Sequence, residues 1–459
     1  MQAKKFQGWT LMWTEINVDG LVGPTHHYGG LGVGNLASQE HAGQCSHPRA
    51  AALEGVRKAA LVASWGVPQY LLLPPARPRL DWLEQLALDV GETDDWEQVW
   101  HTAPEAFSAA LSSAFMWAAN AATVSAAGDC SDRRLHITPA NLISSWHRSA
   151  EADERRVQLS QFFKNLPHCT VHSPLPAIVP LRDEGAANHM RLCDASLKIG
   201  LNIFVYGDAG DNHITSKLHF LPRQTRASCE AIARRHRLDP ERTFFLQQHP
   251  EAISAGAFHN DVVATSHEHL LIHHQLAFVD AEAELTRLEH TFQQCTGQRL
   301  QRIEIPADEL PLEEAVRSYF FNSQIITPRL VSQTTTTPRM VLISPRQCQE
   351  LAITQRWVQS LVNASDNPID EVCFVTLEQS MAGGGGPACL RLRVPLPEAD
   401  LEHLPSALRL DSRLQEKLEQ FIERWYPETL RLSDLFEQQL FEHFLQIPLR
   451  LRETIFDTV

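Results

Sequence analysis

A mixed α/β fold with no dividing linker is what this 459-residue sequence predicts. Three observations carry that prediction. Short β-rich runs alternate with helical stretches, no low-complexity tract interrupts them, and 43% hydrophobic against 21% charged residues is an ordinary globular balance. At roughly 150 residues per domain the length suggests about three units, although barrels and propellers absorb more chain into one. No repeat at the common solenoid periods is visible.

His47-Pro48 opens the first clear helix, because proline suits a first turn, and Leu53, Val56, Ala60 and Ala63 follow at helical spacing until Gly66-Val67-Pro68 ends it. Tyr70 to Leu73 then reads as a buried strand. The apolar run Ile178 to Leu181 reads as a strand ending at Asp183-Glu184, and Asn202 to Tyr206 as another strand. Asp261 to Thr265 and His269 to His274, separated by Ser266-His267-Glu268, form a hairpin-like pair. Val372 to Thr376 is a further strand. In Cys389-Leu-Arg-Leu-Arg-Val394 the alternation puts Leu390, Leu392 and Val394 on one face. Asp400 to Val459 is charged, Leu-rich and helical in pattern.

Composition removes several function classes. With 40 Lys+Arg against 55 Asp+Glu the formal net charge is −15, which suits no general nucleic-acid binder, since such binding rests on neutralising phosphates. The most apolar stretch, Ala59 to Leu73, is interrupted by Ser64, Gly66, Pro68 and Gln69, short of the ~18 apolar residues of a membrane span. Met1 to Gly20 carries Glu15 and Asp19 where a signal peptide has its apolar core. Nine cysteines without a C-x-x-C pair indicate reduced thiols, and the expected location is the cytoplasm.

Ser380-Met-Ala-Gly-Gly-Gly-Gly-Pro-Ala-Cys389 is the most informative stretch. Four glycines in succession are costly to order, so Gly383 to Gly386 point either to a flexible turn or to a shaped loop presenting Cys389. No Gly-Lys-Ser/Thr follows, which sets phosphate cradling aside. Asp183-Glu184-Gly185 and Phe258-His-Asn-Asp261 add carboxylates and an imidazole in turn-like places. Cys389, His259 and Glu184 or Asp261 thus supply a nucleophile, a proton carrier and carboxylates, though sequence separation does not show that they meet. The pairs His26-His27, His267-x-His269 and His273-His274 leave metal binding open, without H-E-x-x-H spacing. Asn120, His147-Arg148 and Arg223 lie in polar stretches, where arginine forks match carboxylates but surface ion pairs are equally ordinary.

Taken together, these segments resemble the N-succinylarginine dihydrolases of the guanidino-group-modifying (pentein) superfamily. The matching stretches are Asn17-Val-Asp-Gly-Leu-Val-Gly23, Thr25-His-His-Tyr28, Met116-Trp117 with Asn120-Ala-Ala-Thr123, and His147-Arg-Ser149. They continue with Asp183 to His189, Phe204-Val-Tyr-Gly207, Arg223-Gln-Thr-Arg226, Phe258 to Asp261, Phe321-Asn-Ser-Gln324 and Gly384 to Val394, in order, over roughly residues 15 to 395. The resemblance implies one catalytic domain over 1–459, with 1–12 as an extension and 400–459 matching weakly. It implies a five-bladed β/α propeller of pseudo-fivefold ββαβ units, a homodimer, and hydrolysis of N2-succinyl-L-arginine to N2-succinylornithine, two ammonia and carbon dioxide.

By the same resemblance Cys389 is the nucleophile, His259 the acid/base and Glu184 its carboxylate partner. Substrate-binding roles fall on Gly29, Gly30, Leu31, Gly32, Val33, Gly34, Asn35, Leu36, Ala37, Ser38, Asn120, His147, Arg148, Arg223 and Asp261. The scheme requires no metal or organic cofactor. A guanidinium carbon is a reluctant electrophile and needs a strong nucleophile in fixed geometry. Glu184 and Asp261 are expected to hold its N–H groups in the plane, its charge to lower the thiol pKa, and Arg148 and Arg223 to receive the substrate carboxylates. One departure stands out: the family carries an asparagine immediately before its glycines, and this chain has Gly383. A deiminase, an amidinotransferase, a noncatalytic binding protein on the same fold and a metal-dependent hydrolase are the competing readings.

Overall fold

The computed structural model describes residues 12–88, 95–210, 218–329 and 339–456. Most of the 1–12 extension therefore lies outside the described residues. Within them the chain forms fifteen strands in five three-stranded sheets, a mixed α/β architecture.

Strands β1 (Trp13–Gly20) and β2 (Gln69–Leu72) run parallel, joined by the helix Pro48–Ser64. Strands β3 (Ala122–Ser125), β4 (Leu135–Pro139) and β5 (Cys169–Val171) form the next sheet, and β6 (His189–Cys193), β7 (Gly200–Tyr206) and β8 (Thr243–Gln247) the third. Strands β9 (Ala264–His267), β10 (Leu270–His274) and β11 (Gln301–Ile305) form the fourth; β12 (Gln324–Ile326), β13 (Met340–Pro345) and β14 (Ile369–Val375) form the fifth. Finally β15 (Arg391–Pro397) returns to pair antiparallel with β1, from Trp13↔Pro397 to Asp19↔Arg391.

Every sheet then has one topology: an antiparallel pair, and a parallel third strand reached through a helix. A parallel pair cannot be joined by a tight turn, which is why helices Ala152–Phe162, Arg226–Arg235, Glu282–Thr296 and Ala352–Asn363 occur where Pro48–Ser64 does in the first sheet. Before β3, β6, β9 and β12 the chain makes a short 3-10 turn, at Ala118–Asn120, Gly185–Asn188, Asn260–Val262 and Phe320–Asn322. Successive turns touch one another, and β15 touches the first. These turns carry the chemistry.

Strand alternation sorts β15 as the pattern predicts. Leu390, Leu392 and Val394 are buried in apolar clusters, which leaves Cys389, Arg391 and Arg393 on the opposite face. The largest cluster joins the helix Pro48–Ser64 to helices Ser412–Trp425 and Gln438–Phe456 through Val56, Val62, Leu418, Phe421, Phe444 and Ile447. Truncating one such leucine costs roughly 2–5 kcal/mol.

Several elements differ from their sequence reading. The deepest stripe of Pro48–Ser64 is Ala52, Val56, Ala59 and Val62; Leu53, Ala60 and Ala63 are only half-buried, because the helix packs on two sides. The hairpin begins at Ala264, not Asp261, and turns at Glu268-His269, since Asp261 belongs to a 3-10 turn. Ile178 to Leu181 is no strand: Pro180 sits in a 3-10 turn whose Ile178 and Val179 are 51% and 64% exposed. The β15 ladder starts at Arg391, after Cys389.

Candidate active site

The glycine run is shaped by close approach. Helix Glu378–Gly383 ends in Gly384, whose φ of 103° is a left-handed conformation that favours glycine. An added Cβ at Gly385 would overlap Trp117 Nε1, and at Gly386 it would stand 2.7 Å from Asn322 Oδ1. Ser380 Oγ donates to the Gly385 carbonyl at 2.6 Å and Asn35 Nδ2 to the Gly384 carbonyl at 3.0 Å, so the loop is held from both sides. Its final turn, with Cys389 N–H on the Gly386 carbonyl at 3.1 Å, delivers the thiol.

Cys389 is 3% exposed. Asn322 brackets it: Nδ2 donates to Sγ at 3.2 Å, and Oδ1 accepts from the Cys389 N–H at 3.2 Å. On the other side the thiol donates to Asp261 Oδ2 at 3.5 Å, while Asp261 Oδ1 is buried with no partner among the described residues. Burial pushes the thiol well above its ordinary value, and the Asp261 charge pushes it further. Burial likewise raises Asp261 to about 7, against the hydrogen bonds from Cys389 and Asn322. Without a cation beside them, these two acids favour their protonated forms.

The 3-10 turn after Asp183 places Glu184 at zero exposure. His259 Nε2 donates to Glu184 Oε2 at 2.8 Å, and Arg148 donates to both oxygens, at 2.7 Å to Oε2 and 3.0 Å to Oε1. Burial alone would raise the Glu184 carboxyl, but Arg148 and His259 hold it well below the usual carboxylate range. Burial lowers His259 to about 4, with Glu184 opposing and Arg223 and Arg148 reinforcing the shift. The imidazole is therefore neutral near pH 7, with its proton on Nε2 facing Glu184. Nδ1, which has no partner, carries the lone pair.

Both Glu184 oxygens are engaged, by His259 and Arg148, whereas Asp261 Oδ1 has no partner among the described residues. Arg148 closes its fork on Glu184. Arg223 stacks over Phe258 at 4.8 Å and donates to the Val33 carbonyl, tying the 29–38 loop to the site.

A cavity of about 60 Å³ gathers these groups. Of the expected residues, Cys389, His259, Gly29, Gly30, Leu31, Gly32, Asn35, Ser38, Asn120, His147, Arg148, Arg223 and Gly383 line it. Glu184, Asp261, Val33, Gly34, Leu36 and Ala37 do not; Glu184 lies beneath His259 and Arg148, Asp261 borders a second cavity instead, and Val33 and Leu36 are 58% and 43% exposed. Asn120 supports the site from behind, donating from Nδ2 to the Glu184 carbonyl at 2.9 Å. Sequence reasoning assigned no role to Asn322 or Trp117, and considered His26 only as a possible metal ligand. His26 lines the cavity with Nε2 buried and unpartnered, while its Nδ1 meets Ser113 Oγ at 3.1 Å. The other histidine pairs serve locally: His273 Nδ1 and His274 Nε2 donate to the His274 and Leu310 carbonyls, and His267 meets Thr327 and Arg393.

Comparison with known proteins fits this geometry. The family model described as succinylarginine dihydrolase matches residues 12–455. The chain belongs to the succinylarginine dihydrolase family. It is 42% identical over 429 residues to the N-succinylarginine dihydrolase of Legionella pneumophila (strain Paris), covering 93% of this chain and 94% of that protein. Against the proteins of the same name from Shewanella loihica and Yersinia enterocolitica the identities are 39% and 40%, with the same coverage of 93% and 94%. The family match spans all five sheets and both C-terminal helices, so the last sixty residues share in it.

Proposed function

We propose that the protein hydrolyses N2-succinyl-L-arginine with two waters to N2-succinyl-L-ornithine, two ammonia and carbon dioxide through a covalent Cys389 intermediate. The observation that carries this reading is the Cys389 thiol held between Asn322 and Asp261, with Asp261 Oδ1 free to receive a cation. The family relationship supports the substrate.

Asp261 accepts guanidinium N–H groups, and the arriving charge favours loss of the thiol proton. The thiol proton passes to His259 Nδ1, the thiolate attacks the guanidinium carbon, and the imidazolium returns that proton to the departing nitrogen, so that ammonia leaves and His259 is neutral again. Neutral His259 then draws a proton from water through Nδ1, which adds to the S-linked amidino carbon and returns the thiol; acid/base help of this kind is typically worth ~10²–10⁴-fold. The ureido product passes through the same cycle. Attack gives an S-linked thiocarbamate and the second ammonia, water releases a carbamate, and the carbamate splits into amine and carbon dioxide. Arg148 keeps Glu184 ionised, and Glu184 orients His259. Arg223 receives a substrate carboxylate, with Asn120, His147, Gly383 and the 29–38 loop completing the pocket.

In the same reading residues 12–455 form one catalytic unit whose five sheets close into a five-bladed propeller, supported by the shared topology and the touching 3-10 turns. We assign a homodimer in the cytoplasm on the family relationship; among the described residues no helix is long and apolar enough to cross a membrane. Acid quench during turnover should leave an amidino or thiocarbamate adduct on the Cys389 peptide. An adduct on a different cysteine, or full turnover by Cys389→Ala, would contradict the assignment.

A further inference from the structure

Behind Cys389, on the far side of the layer formed by Ala388 and Asp261, lies a second cavity of about 80 Å³. Three arginines line it, at 191, 391 and 393. Two are matched by carboxylates. Arg191 Nε donates to Asp129 Oδ2 at 2.6 Å, and Arg393 Nη2 lies 2.8 Å from Glu15 Oε2. Arg391 differs: it is 8% exposed, yet among the described residues its guanidinium makes no hydrogen bond and no ion pair, and its Nε is fully enclosed.

Asp19, directly across the β1–β15 ladder from Arg391, receives Lys58 Nζ at 2.8 Å and also Gln69. Glu15 and Asp261 line the cavity too: Glu15 is held by Arg393, and Asp261 takes the Cys389 thiol on Oδ2 and leaves Oδ1 unpartnered, yet among the described residues neither forms an ion pair with Arg391. Ser266 Oγ lines the same cavity, buried and without a partner. A buried guanidinium left uncompensated is strongly unfavourable, so buried charges are found paired or holding a ligand. Burial, with Arg393 adding to it, lowers Arg391 to about 9 even though Glu15, Asp19 and Asp261 oppose the shift.

We infer that this rear cavity is a binding site for a small monoanion, chloride or bicarbonate in size, with Arg391 as its principal donor and Ser266 as a second. The volume admits such an ion with a water or two, since one water needs ~10–15 Å³ on this measure. An arginine fork suits a planar oxyanion, and a halide fits the same N–H groups. The site rests on its own geometry and not on the proposed reaction. Two sources supply the chemistry: dissolved halide, and bicarbonate formed from released carbon dioxide.

The test is thermal unfolding of the full chain at pH 8 and constant ionic strength, with gluconate replaced by chloride or by bicarbonate. A rise in Tm that becomes log-linear above Kd, about 1–2 °C per tenfold increase in the anion, is expected in the wild type and its loss in Arg391→Gln. A larger response to bicarbonate identifies the oxyanion as the better ligand, and a larger response to chloride the halide. Equal rises in wild type and variant would overturn the site. Should Arg391→Gln not fold, wild-type crystals soaked in bromide decide alone: an anomalous peak beside the Arg391 guanidinium supports the inference, and a rear cavity holding only water overturns it.

Discussion

Cys389 Sγ and Asp261 Oδ2 lie 3.5 Å apart, both enclosed and both raised by burial. A nucleophile and a carboxylate that each resist ionisation make an inert pair until a cation arrives. The guanidinium is then more than a passive electrophile, because its charge stabilises both anions at once.

That relationship predicts the pH profile. Asp261 titrates near 7 and accepts N–H groups only when ionised, so log(kcat/KM) should rise with unit slope below about pH 7 and level above it. Stability should run the other way. The folded value exceeds the ordinary carboxylate value of 3.8, so the folded state holds the proton more tightly and loses stability as pH climbs from about 4 to 7. Asp261→Asn should accordingly abolish the acidic limb with most of the activity. The same change should stabilise the protein at pH 8 by up to about 4 kcal/mol and not at pH 4. Urea melts at both pH values check the second part; a variant destabilised at pH 8 contradicts it.

Glu184 is wedged between His259 and Arg148, with both oxygens engaged. Glu184→Gln should lower kcat by ~10²–10⁴-fold, since an amide no longer fixes the imidazole tautomer. Arg148→Met, by contrast, leaves a buried carboxylate with only a neutral imidazole, and should cost roughly 3–5 kcal/mol of stability. Comparing kinetics with melting for the two variants separates tautomer control from folding; a Glu184→Gln enzyme of full activity would exclude the orienting role.

Asn322 is the thiol's nearest donor and also receives the Cys389 N–H. A hydrogen bond to a charged group is worth ~1.5–3 kcal/mol, so Asn322→Ala should slow kcat by ~10–100-fold with KM little changed. A rise in KM alone would instead make Asn322 a binding residue.

Gly383 lines the pocket as the last residue of its helix, and an added Cβ would stand 3.1 Å from Trp117 Cζ2. The indole must move by a few tenths of an ångström, and an asparagine amide then reaches substrate. Gly383→Asn should lower KM about two- to tenfold, the value of one hydrogen bond of ~0.5–1.5 kcal/mol. Unchanged kinetics would show that the glycine is no defect.

Much of the fold was legible locally and little of it globally. Tyr70–Leu73 and the Cys389–Val394 alternation were visible because their apolar patterns are short and unambiguous. The repeated sheets were not, because the turns that precede their first strands are only three or four residues long and vary: Ala-Ala-Asn and Gly-Ala-Ala-Asn are alike, but Asn-Asp-Val and Phe-Phe-Asn share at most the final Asn with them. Asn120 and Asn322 each stand two residues before their strands, as Cys389 does before β15, and that equivalence is the signal that would have singled out Asn322. Cys389, His259 and Glu184 were reached through resemblance, not spacing. The structure brings His259 onto Glu184 and into the cavity that Cys389 lines. Arg148's commitment to Glu184 had no sequence signal, because an arginine on a short helix looks the same whether it faces solvent or a buried acid. Within the 29–38 loop Val33 and Leu36 turn outward, while Gly29, Gly30, Leu31, Gly32, Asn35 and Ser38 line the cavity, a sorting that sequence alone did not reveal.

The most direct test of the central claim is ammonia released per N2-succinyl-L-arginine consumed, for wild type and Cys389→Ser side by side. Two ammonia per substrate in the wild type, with none from Cys389→Ser, is the predicted result. One ammonia with accumulation of the ureido compound would make the protein a deiminase, and turnover surviving in Cys389→Ser would contradict cysteine catalysis altogether.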